Sequence, residues 1–521
     1  MVSASKNDAA SSAEDIPAAR AAARAAARGT LITLLLRLVS FGCTQWTFRV
    51  LDPSILGKAN IQLELLLTTV LFISREGFRL SLTRNISSEN WNTAWLTIPF
   101  VSLVAAGTLV WHLTIATDPD YRLAGILYCM ASWIEGCAEP AVLHSLRCMD
   151  VPMRASAESM ATVAKTLATV MALQYILSDQ WQVTAFGIAQ LVYALTYSIF
   201  LYAKTYKLLV APTWSLDWPT CYLTIIFTIQ GFFKHLLTEA DRIVLSTLSD
   251  SYNQGVYAMG SAYGGMAARI LLQPLEENAR LLWSRLANST RELQESYTTL
   301  VKLVLYVGLI FSTVAINYTH LLLNLLAGRK WGSNPEAAAV LSAFCVYTAF
   351  LAANGMTEAF VYGVTTSGFE VGRLGVAHTV TGVVFAAIAP FLVATYGTVG
   401  LVAANCVAMT LRSLYSVLFA AQYFGEREKR SVAVSLRYLL RKMIPHPVIL
   451  MCFLGTYIVT RWSKGLSDDL TFDIRNKDWL VLTGRHLATG LSCAIGIVTA
   501  TYTLEKDFLR SLVGMVRPKQ D

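Results

Sequence analysis

Long apolar stretches recur along this chain from residue 30 to residue 505. Each approaches the roughly 20 residues that a helix needs to cross a bilayer. Lipid offers the backbone no water, so every such stretch must satisfy its own N–H and C=O groups, which an α-helix does. Of the 521 residues, 55% are hydrophobic and only 15% are charged, against about 25% charged in soluble domains. The sequence predicts about fourteen spans: 30–50, 59–81, 91–113, 122–146, 155–178, 181–203, 218–246, 252–280, 297–320, 336–362, 374–396, 399–423, 444–461 and 483–505. The expected class is an all-α polytopic membrane protein.

Basic residues orient it. With a cytosolic N-terminus, cytosolic tails and loops carry more than half of the 42 lysines and arginines, as the positive-inside rule requires. The loop after span 12 is the most basic, with Arg427, Lys429, Arg430, Arg437, Arg441 and Lys442. An even span count returns the C-terminus to the cytosol. The net charge of +8 then reports topology and attraction to anionic membrane lipid, and calls for no nucleic acid. Residues 1–29 read as a cytosolic tail without a signal peptide. The nine cysteines lack a CxxC pair and read as packing residues, with no metal, cofactor or disulfide implied. Asn-X-Ser/Thr sites at Asn85 and Asn288 fall on the cytosolic side, and the one at Asn317 lies against the membrane on the other.

Charges within the spans are costly and therefore informative, at about 2.5–3.5 kcal/mol each on insertion scales. In span 2, Glu64, Thr68, Leu71, Arg75 and Arg79 share one helical face. That span ends Glu76-x-x-Arg79-x4-Arg84, and span 8 ends Glu277-x-x-Arg280-x4-Arg285. In-span carboxylates cluster in spans 2 and 4, then in 7, 8 and 10, and span 1 adds Arg37 and Arg49, so that 1, 2 and 4 correspond to 7, 8 and 10 under an offset of six. Parallel repeats of this kind suit a transporter with its site between two lobes. The expected organisation is a lobe at 30–205, a linker at 206–217, a second lobe at 218–424, a basic cytosolic loop at 425–443, and a further helix pair with its tail at 444–521.

Several residues are candidates for a site. Arg37, Arg75, Arg269 and Arg280 would form a cationic belt on spans 1, 2 and 8, and arginine forks match phosphate oxygens. Arg79 and Arg84 are expected near the cytosolic surface, orienting the helix. Glu135 with Glu139, and Asn354 with Glu358, are i,i+4 pairs that can bond neighbouring bases, a proton or cation, or sugar hydroxyls. In KHLLTEADR, Lys234 with Asp241, and His235 with Glu239 and Arg242, are spaced to share helical faces. Lys165 and Arg412 are lone mid-span cations expected to partner these acids. Pro274 deprives the Ile270 carbonyl of its helical donor, so span 8 should open or kink there. GxxxxGK[ST], HExxH and GxSxG are all absent, so no enzyme chemistry is expected.

The blocks RLVSF (37–41), QLELL (62–66), LF-x-SREGFR (71–79), KHLLTEADRIVLS (234–246), QGVYA (254–258), ARILLQPLEE (268–277) and NGMTEAF (354–360) occur in order. In these the sequence resembles the Rft family. The resemblance implies the fold of bacterial lipid flippases and multidrug exporters, with two six-helix bundles around a central cavity. It also implies an endoplasmic reticulum location and, as substrate, a dolichol diphosphate bearing five mannoses on two N-acetylglucosamines. On that basis the expected function is translocation of this lipid-linked oligosaccharide by alternating access. The diphosphate would meet the arginines, and Glu135, Glu139, Asn354 and Glu358 would serve the sugar or tune the cations. A non-transport scaffold presenting the lipid, and a cation-coupled small-molecule exporter, are the alternatives. The sequence is silent on protein partners.

Overall fold

A computed structural model describes residues 42–83, 91–148, 151–176, 178–207, 217–365, 368–465 and 476–516. Among these the structure is helical and contains no strand. In chain order, α1 (42–50) is followed by α2 (Pro53–Leu82) and α3 (Asn92–Ile115). Next come α4 (Pro119–Cys137), α5 (Glu139–Arg147), α6 (Val151–Met171), α7 (Gln182–Thr205) and α8 (Trp218–Thr238). Then follow α9 (Ala240–Leu248), α10 (Ser251–Ala267), α11 (Gln273–Leu286), α12 (Thr290–Thr313) and α13 (Thr319–Leu326). The chain ends with α14 (Pro335–Val364), α15 (Gly368–Glu428), α16 (Val432–Met443), α17 (Pro447–Gly465), α18 (Lys477–Leu504) and α19 (Lys506–Val516).

Among the described residues, seven helical stretches are long and apolar enough to cross a membrane, and the bent pair α16–α17 would make eight. The stretch Gly372–Glu428 holds two expected spans, divided at Gly397, whose φ of 59° suits glycine. Other expected spans are broken or charged helices. Span 4 breaks at Ala138 between α4 and α5, and span 7 breaks at Glu239 between α8 and α9. Span 8 passes through a π-helical turn, Ala268–Leu272, just before Pro274. This is the local opening that the proline demands.

The helices form two compact units. One comprises Met1–Val50 and Leu66–His235, the other Leu51–Leu65 and Leu236–Asp521. The linker expected at 206–217 lies largely outside the described residues.

Small side chains dominate a core of the first unit. Ala138, Ala141 and Val142 meet Ala157 and Ala161 beside Tyr197 and Leu201. Backbones can approach closely at such contacts, which drives helix association in lipid.

The second unit is built around aromatics. Tyr297 and Phe360 rings lie 4.4 Å apart, Trp283 meets Phe360 edge-on at 5.4 Å, and the Trp283 indole N–H donates to Ser296 Oγ at 3.1 Å. In the same unit the start of α2 crosses α10 glycine to glycine. A methyl on Gly57 would overlap the Ser251 carbonyl, and one on Gly255 the Pro53 carbonyl.

The last helix pair is fastened at two levels, to the middle of α12 and to the turn that follows it. At mid-α12, Lys302 Nζ donates to both Glu505 carboxylate oxygens at 2.8 Å, and the His446 N–H adds a third bond at 2.9 Å. In the following turn, Asn317 Nδ2 donates to Thr460 Oγ1 at 2.8 Å and to the Tyr457 carbonyl at 3.2 Å. Tyr318 stacks on His486 with ring centroids 4.1 Å apart. Asn317 is only 3% exposed, so its sequon serves helix packing. Asn85 lies outside the described residues.

Candidate functional site

In the first unit the buried charges form a two-rung ladder. Arg75 and Arg79 stand one turn apart on α2. Glu135, on α4, and Glu139, opening α5, face them. Arg75 Nη1 donates to Glu135 Oε1 at 3.0 Å. Arg79 engages Glu139 through two bonds, one from Nε to Oε1 and one from Nη2 to Oε2 at 2.9 Å. The break at Ala138 places Glu139 in the first turn of α5, where the helix dipole favours an anion. With its carboxylate 2% exposed, Glu139 is a structural partner, and Arg79 is no mere surface anchor. Arg75 differs: it is more exposed and commits one of its five N–H donors to Glu135.

The KHLLTEADR cluster also departs from expectation. Lys234 Nζ pairs with Glu76 on α2 at 3.0 Å instead of within its own helix, and lies 5.7 Å from the Phe72 ring centroid. At 63% exposure, its ammonium remains accessible. His235 shares a hydrogen bond with Thr69 at 3.0 Å and stacks on Phe72. The helix break separates both residues from Glu239, which pairs with Arg242 at 2.9 Å, while Asp241 accepts from the Tyr257 hydroxyl.

In the second unit Glu358 is the hub. Arg412 Nη2 on α15 donates to its two oxygens at 3.1 and 2.8 Å, and His378 Nε2 lies 3.4 Å from Oε1. Asn354, one turn earlier on α14, donates Nδ2 to Glu358 Oε2 at 3.2 Å. The buried Oδ1 of Asn354 and Nε of Arg412 have no hydrogen-bond partner among the described residues. Gly355 leaves room for the Glu276 carboxylate, which a methyl there would overlap. Arg412 thus finds the acid partner expected of it. Half-buried Lys165 has no ion pair among the described residues.

Arg269 and Arg280 stay outside this network. Both are exposed. Arg269 Nη2 reaches only the Ala262 carbonyl, at 3.4 Å, and Arg280 makes no ion pair among the described residues. They are therefore cationic forks without a carboxylate among the described residues. His378 is the participant that sequence reasoning missed. Its one signal was a polar side chain within an apolar helix. Arg37 lies outside the described residues.

Two helical units with paired buried charge and long apolar helices define a polytopic α-helical membrane protein. The structure resembles lipid II flippase MurJ in an inward closed conformation, with a TM-score of 0.61 at 10% identity over 92% of this chain and 98% of that one. It also resembles an inward-facing multidrug resistance MATE family transporter of the MOP superfamily, with a TM-score of 0.52 at 13% identity over 76% of this chain and 96% of the other. The sequence pattern of the Rft protein family matches residues 23–515, and the chain belongs to that family. Its relatives include the Man(5)GlcNAc(2)-PP-dolichol translocation protein RFT1 of Mus musculus, 28% identical over 95% of this chain and 97% of the mouse protein. The protein of the same name from Yarrowia lipolytica is 29% identical over 77% of this chain and 70% of its own length.

Proposed function

We propose that this protein moves a diphosphate-linked polyprenyl oligosaccharide, Man(5)GlcNAc(2)-PP-dolichol, from the cytosolic to the lumenal leaflet of the endoplasmic reticulum membrane. Both termini would be cytosolic, and two lobes, 30–205 and 218–424, would work by alternating access. Relatives at full length carry that substrate in their name. The observation that carries the reading is the set of cations left uncommitted. Arg269 and Arg280 have no acid partner among the described residues, and Arg75 retains free donors.

A diphosphate suits such groups because each arginine can grip two of its oxygens while holding its charge at any relevant pH. Lys234 and Lys165 would add point charge. Glu135 would hold the Arg75 fork in orientation, and Asn354 Oδ1 offers an acceptor for a sugar hydroxyl. Glu358 is already bonded by Arg412 and His378, which favours a structural role there and weighs against a cation-coupling role. The polyprenyl chain would stay in lipid.

The test is transfer of the dolichol-linked heptasaccharide across proteoliposomes, read by side-selective capture of the sugar. Wild type should move it faster than empty liposomes, and Arg269→Gln with Arg280→Gln should slow transfer about tenfold or more, the loss expected for a pair of charge-assisted contacts. Transfer equal to empty liposomes with the substrate on either side sinks the reading. Retained binding without transfer would then leave the protein a presenter of the lipid.

A further inference from the structure

Helix α16 has a face that neither the fold nor the proposed transport uses. Its inner side is docked: Leu439 and Met443 enter the aromatic core of the second unit, and Ser435 is buried beside them. Its outer side interleaves two rows. Arg437 and Arg441, one turn apart and joined by Lys442, are exposed and form no ion pair among the described residues. Val434 and Tyr438 lie three positions before the two arginines and so run alongside them. They are exposed as well, at 54% and 39%.

Orientation adds to composition. The axis of α16 is bent by 51° from that of α17, which begins four residues later. A bend of this size lets the docked helix run along the membrane surface, where headgroups meet acyl chains. Cations there snorkel outward while apolar neighbours face the chain region. The positive-inside count assigns this same end to the cytosol, the leaflet rich in anionic lipid. A soluble acidic partner would satisfy the arginines but not the Val434–Tyr438 row.

We infer that the outer face of α16 is a binding strip for anionic phospholipid, with Arg437, Arg441 and Lys442 on the headgroups and Val434 and Tyr438 at the acyl boundary. The strip recruits lipid as a structural ligand of the second unit, and the transported molecule is not involved.

The test uses the full chain in nanodiscs of phosphatidylcholine with phosphatidylserine, counting the phosphatidylserine retained per protein after delipidation. Arg437→Gln/Arg441→Gln/Lys442→Gln should lower the retained phosphatidylserine about tenfold relative to phosphatidylcholine, since each surface cation contributes severalfold to such binding. Arg437→Lys/Arg441→Lys should keep it. Val434→Asp/Tyr438→Asp should lose it while the thermal midpoint stays near wild type, which separates lipid loss from misfolding. High salt should abolish the preference, and Arg485→Gln, on the exposed face of α18, should leave it unchanged. Equal retention by wild type and the triple variant, or a preference indifferent to salt, overturns the inference.

Discussion

The two units of this molecule begin from matching charge patterns and use them oppositely. Glu76 and Arg79 recur as Glu277 and Arg280, and the i,i+4 pair Glu135–Glu139 has its counterpart in Asn354–Glu358. In the first unit the arginines of α2 close on the acids of α4 and α5. In the second, Glu358 takes Arg412 and His378 from α15, and Arg280 is left exposed. The position of Arg75 is held by Glu276 and that of Glu135 by Asn354, so the first rung has its charge reversed and partly removed. One unit has converted its buried charge into internal structure; the other leaves Arg269 and Arg280 exposed. The contrast makes Arg79 part of the folded framework and leaves Arg280 exposed, although they occupy equivalent places.

Breaking the ladder should have the largest effect. Glu139→Gln strands the Arg79 guanidinium, and loss of one partner of a buried pair costs about 3–5 kcal/mol. Thermal unfolding in detergent should show a large drop, substantially restored by Arg79→Met/Glu139→Leu. Glu358→Gln should cost less, about 1–3 kcal/mol, because Arg412 and His378 are partly exposed and can find water. If it destabilises more than Glu139→Gln, the assignment of the two units is inverted.

Arg280→Gln should change stability by less than about 0.5 kcal/mol, as surface substitutions do, while slowing transfer in proteoliposomes. A matching loss of stability would place Arg280 in the framework. The smallest effect concerns Asp52, which pairs with Lys330 at 2.9 Å. Burial pulls its carboxyl upward, but the Lys330 ammonium and bonds from Ser54 outweigh this and hold it below its ordinary value. The pair therefore contributes fully above the unfolded value of about 3.9 and is lost as pH falls through the lower folded one. Lys330→Gln should remove that acid-side loss, and because both groups are half exposed the change should stay below about 1 kcal/mol.

Much of this was legible beforehand, and what was not has physical reasons. Helical periodicity places Arg75 and Arg79 on one face, and Pro274 announces an opened helix. Pairing between helices depends also on depth and rotation, which periodicity does not contain. Arg79 therefore read as a surface anchor, though it is bonded to an acid sixty positions away along the chain. The break at Glu239 carries neither glycine nor proline, so KHLLTEADR read as one continuous face. His378 stood alone in an apolar stretch, with nothing nearby in sequence to point it at Glu358.

The bond between Lys302 and Glu505 spans 203 positions of chain. At about 5–20 residues per second of synthesis, the lysine waits roughly 10–40 seconds in the nascent protein before its acid is made. Until then α12 carries an uncompensated ammonium at mid-helix. The Lys302–Glu505 pair is thus complete only when the last helix pair arrives, so a stalled or truncated chain would carry one further unneutralised cation as a mark of its immaturity.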